Sequence, residues 1–358
     1  PKIEKNVTKE IINNIDYLWI KTSKYKKRGY QQVFNQFEFT IKSFLTILKV
    51  KDIKPKVIVA SSPHPFVIFP AFIFAKVFSA KLIYDTRDLW PQVLLELGVI
   101  NKINPFYWVL KFVEHFAVIN SDMVFSVKEG EYSYYKKNYK LKPSKFYYLP
   151  NGFMPDEQIK KSKSSFIREL IYELKSKNKF ILTYAGALSR YYNIESLLEL
   201  AINIKKYKLN VLIIIVGGGD LLKSFKNKVI SANLSNIRIL GKINKSDVHQ
   251  ILEISSAGFV SLQNLDIHKY GISCNKIYEY MYCHLPILGH YETKYDPVKE
   301  SNCGLVSHPG DSVKLLKDLT LLINNPLLCK EMGERGYEYF LSNHNIENIS
   351  KKLLKIIN

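Results

Sequence analysis

Short, nearly continuous apolar runs alternate along this chain with segments whose apolar positions recur every three or four residues. In the first half the runs are DYLWIK from Asp16, KVIVASS from Lys56, KLIYDTRD from Lys81, DMVFSV from Asp122 and KFYYLP from Lys145. In the second half they are KFILTYAG from Lys179, NVLIIIVGGG from Asn210, NIRILGKI from Asn236, AGFVSL from Ala257 and LPILG from Leu285. Strands that are apolar on both faces belong to parallel sheets covered by helices on both sides. The intervening segments are helical in period: over Asn193–Lys206, Ile194, Leu197, Leu198 and Ala201 fall at i, i+3, i+4 and i+7. The pattern predicts an α/β chain of two Rossmann-like domains facing across a cleft. The polar, turn-rich stretch PNGFMPDEQIKKSKSS from Pro150 reads as the hinge between them. In such sheets ligands sit outside the carboxyl ends of the strands, so the loops that follow strands are where chemistry is sought.

A length of 358 residues suits two domains, and 47% hydrophobic with 23% charged residues describes a globular chain. The net charge of +20 admits nucleic acid, an anionic membrane surface or phosphorylated substrates as partners, or simply solvated lysines. The excess is concentrated early: residues 1–56 hold 13 Lys+Arg against 5 Asp+Glu. Cys274, Cys283, Cys303 and Cys329 form no Cys-x-x-Cys, which argues against a zinc site or a disulfide framework and for a reducing cytosol. The most apolar run, PFVIFPAFIFAKVFSA from Pro65, is interrupted by Pro70 and Lys76 and is shorter than the ~20 residues of a membrane span. The sequence opens at Pro1 without a leading strand, so the first domain is expected to be missing its first strand.

Four strand-end segments offer ligand chemistry. YAGALSRYYN places Gly186 at a tight turn before a helix, with Arg190 suited to a phosphate. VGGGD puts Gly218 among three glycines that permit close backbone approach, although neither a Walker nor a G-x-G-x-x-G pattern is present. In LGKINKSDV, Gly241 to Ile243 can set backbone amides beside a flat base, while Ser246 reads as a helix cap with Asp247 in the first turn. In YGISCNKIYEYMYCHLPIL, Ser273 reads as the N-cap of a helix starting near Cys274. Asn275 and Glu279 then share one face with Lys276 at its edge, and Ile277 and Met281 form the core stripe. A helix start and a lysine suit a diphosphate, and a carboxylate one turn deeper suits the vicinal hydroxyls of a ribose.

Taken together, YAGALSRYYNIESLLELA, VGGG, GKINKSDV and NKIYEYMYCHLPIL, with LPNG at Leu149–Gly152, resemble retaining glycosyltransferases of family four, which have the GT-B fold. DTRDLWPQ from Asp85 and SSPHP from Ser61 look like the subgroup building bacterial O-antigen and capsular polysaccharide. The resemblance implies an acceptor-binding domain over 1–152, a nucleotide-sugar domain over 153–342, and a C-terminal helix over 343–358 crossing back to the first. It implies transfer of an N-acetylated hexosamine or deoxyhexosamine from a UDP-sugar to a polyprenyl-diphosphate-linked glycan. Localisation would be cytoplasmic and peripheral at the inner face of the plasma membrane. Glu279 matches the second acid of the family's Glu-x7-Glu motif, which binds ribose; the first falls at Gly271. Ala187 and Tyr192 stand where that family usually has its phosphate-binding Arg and Lys, leaving Arg190 and Lys276 to supply the charge.

Arg190, Lys276 and the Ser273–Asn275 backbone would then stabilise the departing diphosphate, with no metal and no further cofactor expected. His64 and Asp88, in first-domain strand-end loops, are the candidates to orient the acceptor or steady the reacting sugar. The basic, aromatic stretch KYKKRGYQQVF from Lys24 is the expected membrane-docking edge. Two alternatives stay open: a nucleotide-sugar epimerase of the same fold, and a basic nucleic-acid-binding protein, although no nucleic-acid-reading motif is evident. With the usual Arg, Lys and first Glu replaced, an inactive scaffold is a third.

Overall fold

The computed structural model describes residues 7–24, 29–50, 53–153, 164–176 and 178–357. The chain divides into two compact units, residues 1–149 and 150–356. The first opens with a hairpin in which β1 (Val7–Ile12) pairs antiparallel with β2 (Ile15–Ile20). This corrects the sequence reading, because the run from Asp16 lies in that hairpin and not in the parallel sheet. The two-residue turn explains it: Asn13 and Asn14 both hold left-handed backbone, φ 51° and 62°, as a twisted hairpin requires. The parallel sheet of this unit consists of β3 (Val57–Ser61), β4 (Lys81–Thr86), β5 (Met123–Ser126) and β6 (Phe146–Tyr148), in that order. Helices Ile68–Phe78, Pro105–Asn120 and Glu131–Tyr139 connect successive strands.

Among the described residues, six strands build the second unit: β7 (Phe180–Ala185), β8 (Val211–Val216), β9 (Ile237–Gly241), β10 (Ala257–Ser261), β11 (Ile287–His290) and β12 (Gly304–Ser307). They form one parallel sheet ordered β12-β11-β10-β7-β8-β9. In β8 the period-two alternation sends Leu212, Ile214 and Val216 into one core layer and Val211, Ile213 and Ile215 into the other. That is why the strand carries no polar residue. Helix Ile194–Lys206 packs on the second layer with Asn193 as its N-cap, the Asn193 side chain accepting from the Ser196 amide. Strand order reverses between β7 and β10, and at such a switch point the loops diverge and leave a crevice at the carboxyl ends. Helices Pro326–Asn343 and Ile346–Ile357 close the chain. Among the described residues no helix is long and apolar enough to cross a membrane.

Candidate functional site

Three strand ends of the second unit are stitched together beside the switch point. The Gly186 amide donates to the Val216 carbonyl (2.8 Å), the Leu188 amide to Gly218 (2.9 Å), and the Gly217 amide to Gly241 (2.8 Å). Side chains would prevent this: a Cβ on Gly217, whose φ is +137°, would lie 1.9 Å from the Gly186 carbonyl oxygen. The glycine run after β8 therefore brings loop against loop, a packing role beside the close ligand approach that the sequence suggested. Gly241 ends β9 at φ +73° with open space where a side chain would be. Gly218 lies under the carbon stem of Lys242, close enough that a Cβ there would come 2.8 Å from the lysine Cε.

Between these loops and helix Lys245–Glu253 opens a cavity of about 400 Å³. Ala185, Gly186, Val216 and Gly217 form its strand-end wall. Lys242, Ile243, Lys245 and Ser246 form the opposite wall, and Glu279 closes one side. The cap of that second helix corrects the sequence reading: the N-cap is Asn244, and Ser246 lies inside the first turn. Asp247 is in that turn and buried.

Helix Asn275–Tyr282 is fixed by Tyr280, whose hydroxyl accepts from the Ala185 amide at 2.8 Å and whose ring occupies the space left by Gly258. Its N-cap is Cys274, not Ser273. Ser273 instead accepts from the Asn151 side-chain amide at 2.9 Å. Asn275 is exposed and Glu279 half-buried, while Ile277 and Met281 are fully buried. Burial pushes the Glu279 carboxyl above the ordinary carboxylate range, and the ammonium groups of Lys245 and Lys276 pull it back. Lys245 in turn lies 4.9 Å over the Phe153 ring.

Lys276 is the second correction on this helix. It is not at an exposed edge but 6% exposed, its ammonium 4.0 Å from the Tyr184 ring centre and 3.7 Å from that of Tyr192. The amine makes no hydrogen bond among the described residues. Burial lowers its pKa to about 8. A Cβ on Gly186 would lie 2.7 Å from it, and Gly186 itself lines the cavity, so the amine sits directly behind a cavity-lining glycine. Arg190 is exposed on the loop after β7 and is not part of the cavity lining. Lys242 and Lys245 do line it, and the sequence reading gave neither side chain a role. Their signal lies in GKINKS, where two lysines bracket an apolar Ile243.

The first unit holds the remaining candidates. His64 precedes the short turn Pro65–Val67, its ring 5.2 Å from Phe39 and 6.3 Å from Phe66. Both ring nitrogens are buried and lack a well-formed hydrogen bond among the described residues. Burial lowers the imidazole pKa, and the Gln36 backbone offsets part of that. Asp88 is half-buried in the loop after β4, ahead of a cis Trp90–Pro91 bond. Its neighbours brace that loop: Arg87 Nε donates to Asp85 at 2.8 Å, Ser61 Oγ to the same carboxylate at 2.7 Å, and the Arg87 amide to Ser62 Oγ at 2.8 Å. Part of the expected docking edge, residues 25–28, and most of the expected hinge lie outside the described residues.

Comparison with known proteins adds to this geometry. Residues 168–339 match the family model described as glycosyl transferases group 1. An uncharacterized glycosyltransferase of Methanocaldococcus jannaschii is 24% identical over 289 residues, 80% of this chain and 70% of its own. Among solved structures, sucrose-phosphate synthase from Thermosynechococcus elongatus superposes with a TM-score of 0.74 at 16% identity, covering 99% of this chain and 85% of that one. Anabaena HepE in complex with UDP superposes with a TM-score of 0.65 at 15% identity, over 90% and 83% of the two chains. At such identities the superpositions establish the fold.

Proposed function

From a chain that carries the glycosyl transferases group 1 domain over residues 168–339 and is a glycosyltransferase, we propose a retaining enzyme that takes its sugar from a UDP-sugar bound in the second unit. One observation carries the reading. The cavity at the ends of β7, β8 and β9 sets a half-buried acid, Glu279, against Lys242 and Lys245, with Lys276 behind Gly186. A carboxylate accepts two hydrogen bonds from vicinal ribose hydroxyls, and ammonium groups screen a diphosphate. Ile243 and the apolar ends of β7 and β8 offer a surface for the uracil ring.

In the reaction the bond from the anomeric carbon to the β-phosphate oxygen breaks. A bond to the acceptor hydroxyl forms on the same face, and the acceptor's proton passes to the departing phosphate. Charge grows on that phosphate, so preorganised cations lower the barrier more than they tighten ground-state binding. Lys276 and Lys242 take this part, with Arg190 available from the exposed β7 loop. No metal is needed where these cations face the diphosphate. Asp88 and His64 orient the acceptor; half-buried, with burial lowering its pKa, His64 acts as a hydrogen-bonding imidazole.

The donor sugar is an N-acetylated hexosamine or deoxyhexosamine and the acceptor a lipid-linked glycan of bacterial surface polysaccharide. This finer assignment rests on the DTRDLWPQ and SSPHP resemblance. Helix Tyr30–Leu45 supports docking at an anionic membrane. Tyr30, Phe34, Ile41 and Leu45 project from one stripe of it and are each more than 60% exposed, and cations crowd the preceding segment. Calorimetric titration with UDP, paired with UDP release from a panel of UDP-sugars, tests the donor reading. Absence of UDP binding in the parent protein refutes it. Sedimentation with phosphatidylglycerol vesicles tests docking, which is rejected if low salt brings no protein down.

A further inference from the structure

Lys276 has chemistry that its position alone does not explain. An ammonium this deeply buried loses hydration worth several kcal/mol, and here no oxygen replaces the lost water among the described residues. Two aromatic faces do so in part. The centroid distances of 4.0 and 3.7 Å lie well inside the range of a favourable cation–π contact. Both rings are held firmly. Tyr184 is fully buried in β7 and its hydroxyl donates to the Ala187 carbonyl at 2.6 Å. Tyr192 meets Tyr184 nearly edge-on, 6.4 Å between centroids and 81° between planes. Its amide donates to the Ser189 carbonyl and its own carbonyl accepts from the Ile194 amide, each at 3.0 Å, which ties the ring to the start of the next helix.

We propose that Tyr184 and Tyr192 are positioning residues: they form an aromatic cage that holds the Lys276 ammonium at the Gly186 window, dry and unsatisfied, so that an entering diphosphate completes its hydrogen bonding. The inference rests on the donor reading above and deepens it. Cation and β7 loop have in effect exchanged roles. The loop contributes aromatic faces, at Tyr192 in place of a charge, and helix Asn275–Tyr282 contributes the cation. A ring quadrupole attracts the ammonium without neutralising it, so the full charge remains available to an anion. A carboxylate in the same place would have consumed it.

The cage is tested first without any ligand, by following the Lys276 Nζ titration in protein carrying isotopically labelled lysine. The charged and titratable groups facing this amine are Cys274 and Glu279, with Tyr184 and Tyr192 as the rings. The parent is expected to titrate near 8. Tyr192→Leu removes one ring face and lowers that midpoint by about one unit, a tenfold loss of proton affinity; Tyr192→Phe restores it. An unchanged midpoint in Tyr192→Leu overturns the cage. UDP affinity is then measured in a double-mutant cycle. Tyr192→Leu weakens binding about tenfold in the parent background and has no further effect once Lys276→Met is present. Losses that simply add overturn the positioning role. If the parent shows the expected titration but binds no UDP, the donor reading falls and takes the diphosphate half of the inference with it, while the cage itself stands.

Discussion

The Gly186→Ala substitution separates binding chemistry from stability at this site. Gly186 does not hold left-handed backbone, so alanine is sterically permitted there and gains roughly 0.4–1 kcal/mol by restricting the unfolded chain. Its new methyl group would sit 2.7 Å from Nζ and 2.9 Å from Cε of Lys276. Those atoms are the far end of a flexible side chain, so the lysine and not the backbone gives way. Leaving the two rings forfeits about 2 kcal/mol of desolvated cation–π attraction. The net stability change is then about 1–2 kcal/mol, a few degrees in Tm for a unit of this size. Function is hit harder. Losing one charge-assisted hydrogen bond to a diphosphate costs about 1.5–3 kcal/mol, so UDP affinity falls roughly ten- to a hundredfold. The methyl group also takes the space that the amine now occupies beside Gly186. Calorimetry with UDP, beside a thermal melt of the same preparation, reads both effects. A folded Gly186→Ala protein that binds UDP within about twofold of the parent refutes the window and removes Lys276 from the donor site.

Other groups carry expectations of their own. Glu279→Gln weakens UDP binding about ten- to a hundredfold if one charged hydrogen bond is lost. In the parent, affinity declines as pH falls through the raised pKa of this carboxyl, and a pH-independent Kd rejects the ribose assignment. Lys128 and Glu131 in the first unit are a buried pair, 5% and 0% exposed and 3.3 Å apart; Lys128→Met leaves the acid uncompensated at a cost of about 3–5 kcal/mol. Burial raises the Glu131 pKa, so this variant regains stability as pH falls and loses it as pH rises, and denaturation curves that do not move with pH contradict that. His344, stacked 3.7 Å from Tyr278 with Nδ1–H donating to the Asn151 carbonyl at 3.1 Å, is lowered by burial from 6.5 to about 4. Its contribution is intact above pH 6.5 and about 3 kcal/mol of it is lost as pH drops to 4, a slope that His344→Gln should flatten in acid melts. Finally, EDTA should leave UDP-sugar turnover unchanged, and activity that dies with chelation and returns with a divalent ion would require a metal the cations here were proposed to replace.

How much of this is legible in the sequence depends on whether a residue's environment is set locally or across the fold. The apolar runs of β7, β8 and β10 are unmistakable because a strand buried on both faces is nearly all apolar, and the run itself records that burial. β12 is not legible in this way, being short and opening on Gly304, where a Cβ would come 2.1 Å from the Ile287 carbonyl oxygen. Close strand packing selects the glycine, and in a string of letters a glycine reads as a turn. The Asn13–Asn14 hairpin does carry a turn signal, but the apolar run after it suits a parallel strand equally well. Charges are the least legible. By helix spacing Lys276 belongs beside an exposed face, and only two tyrosines more than eighty residues earlier, one in β7 and one in the loop after it, make its burial tolerable. Such a pairing leaves no period in either segment. Lys242 and Lys245 show their signal openly, yet a lysine next to a helix start has an ordinary capping or solvated role, so spacing could not favour the cavity. The site charges that sequence does not reveal share one origin: each depends on segments from different strands meeting. A parallel sheet gathers those loops at one end, and the same gathering that makes a binding site there hides its chemistry from any reading confined to one segment at a time.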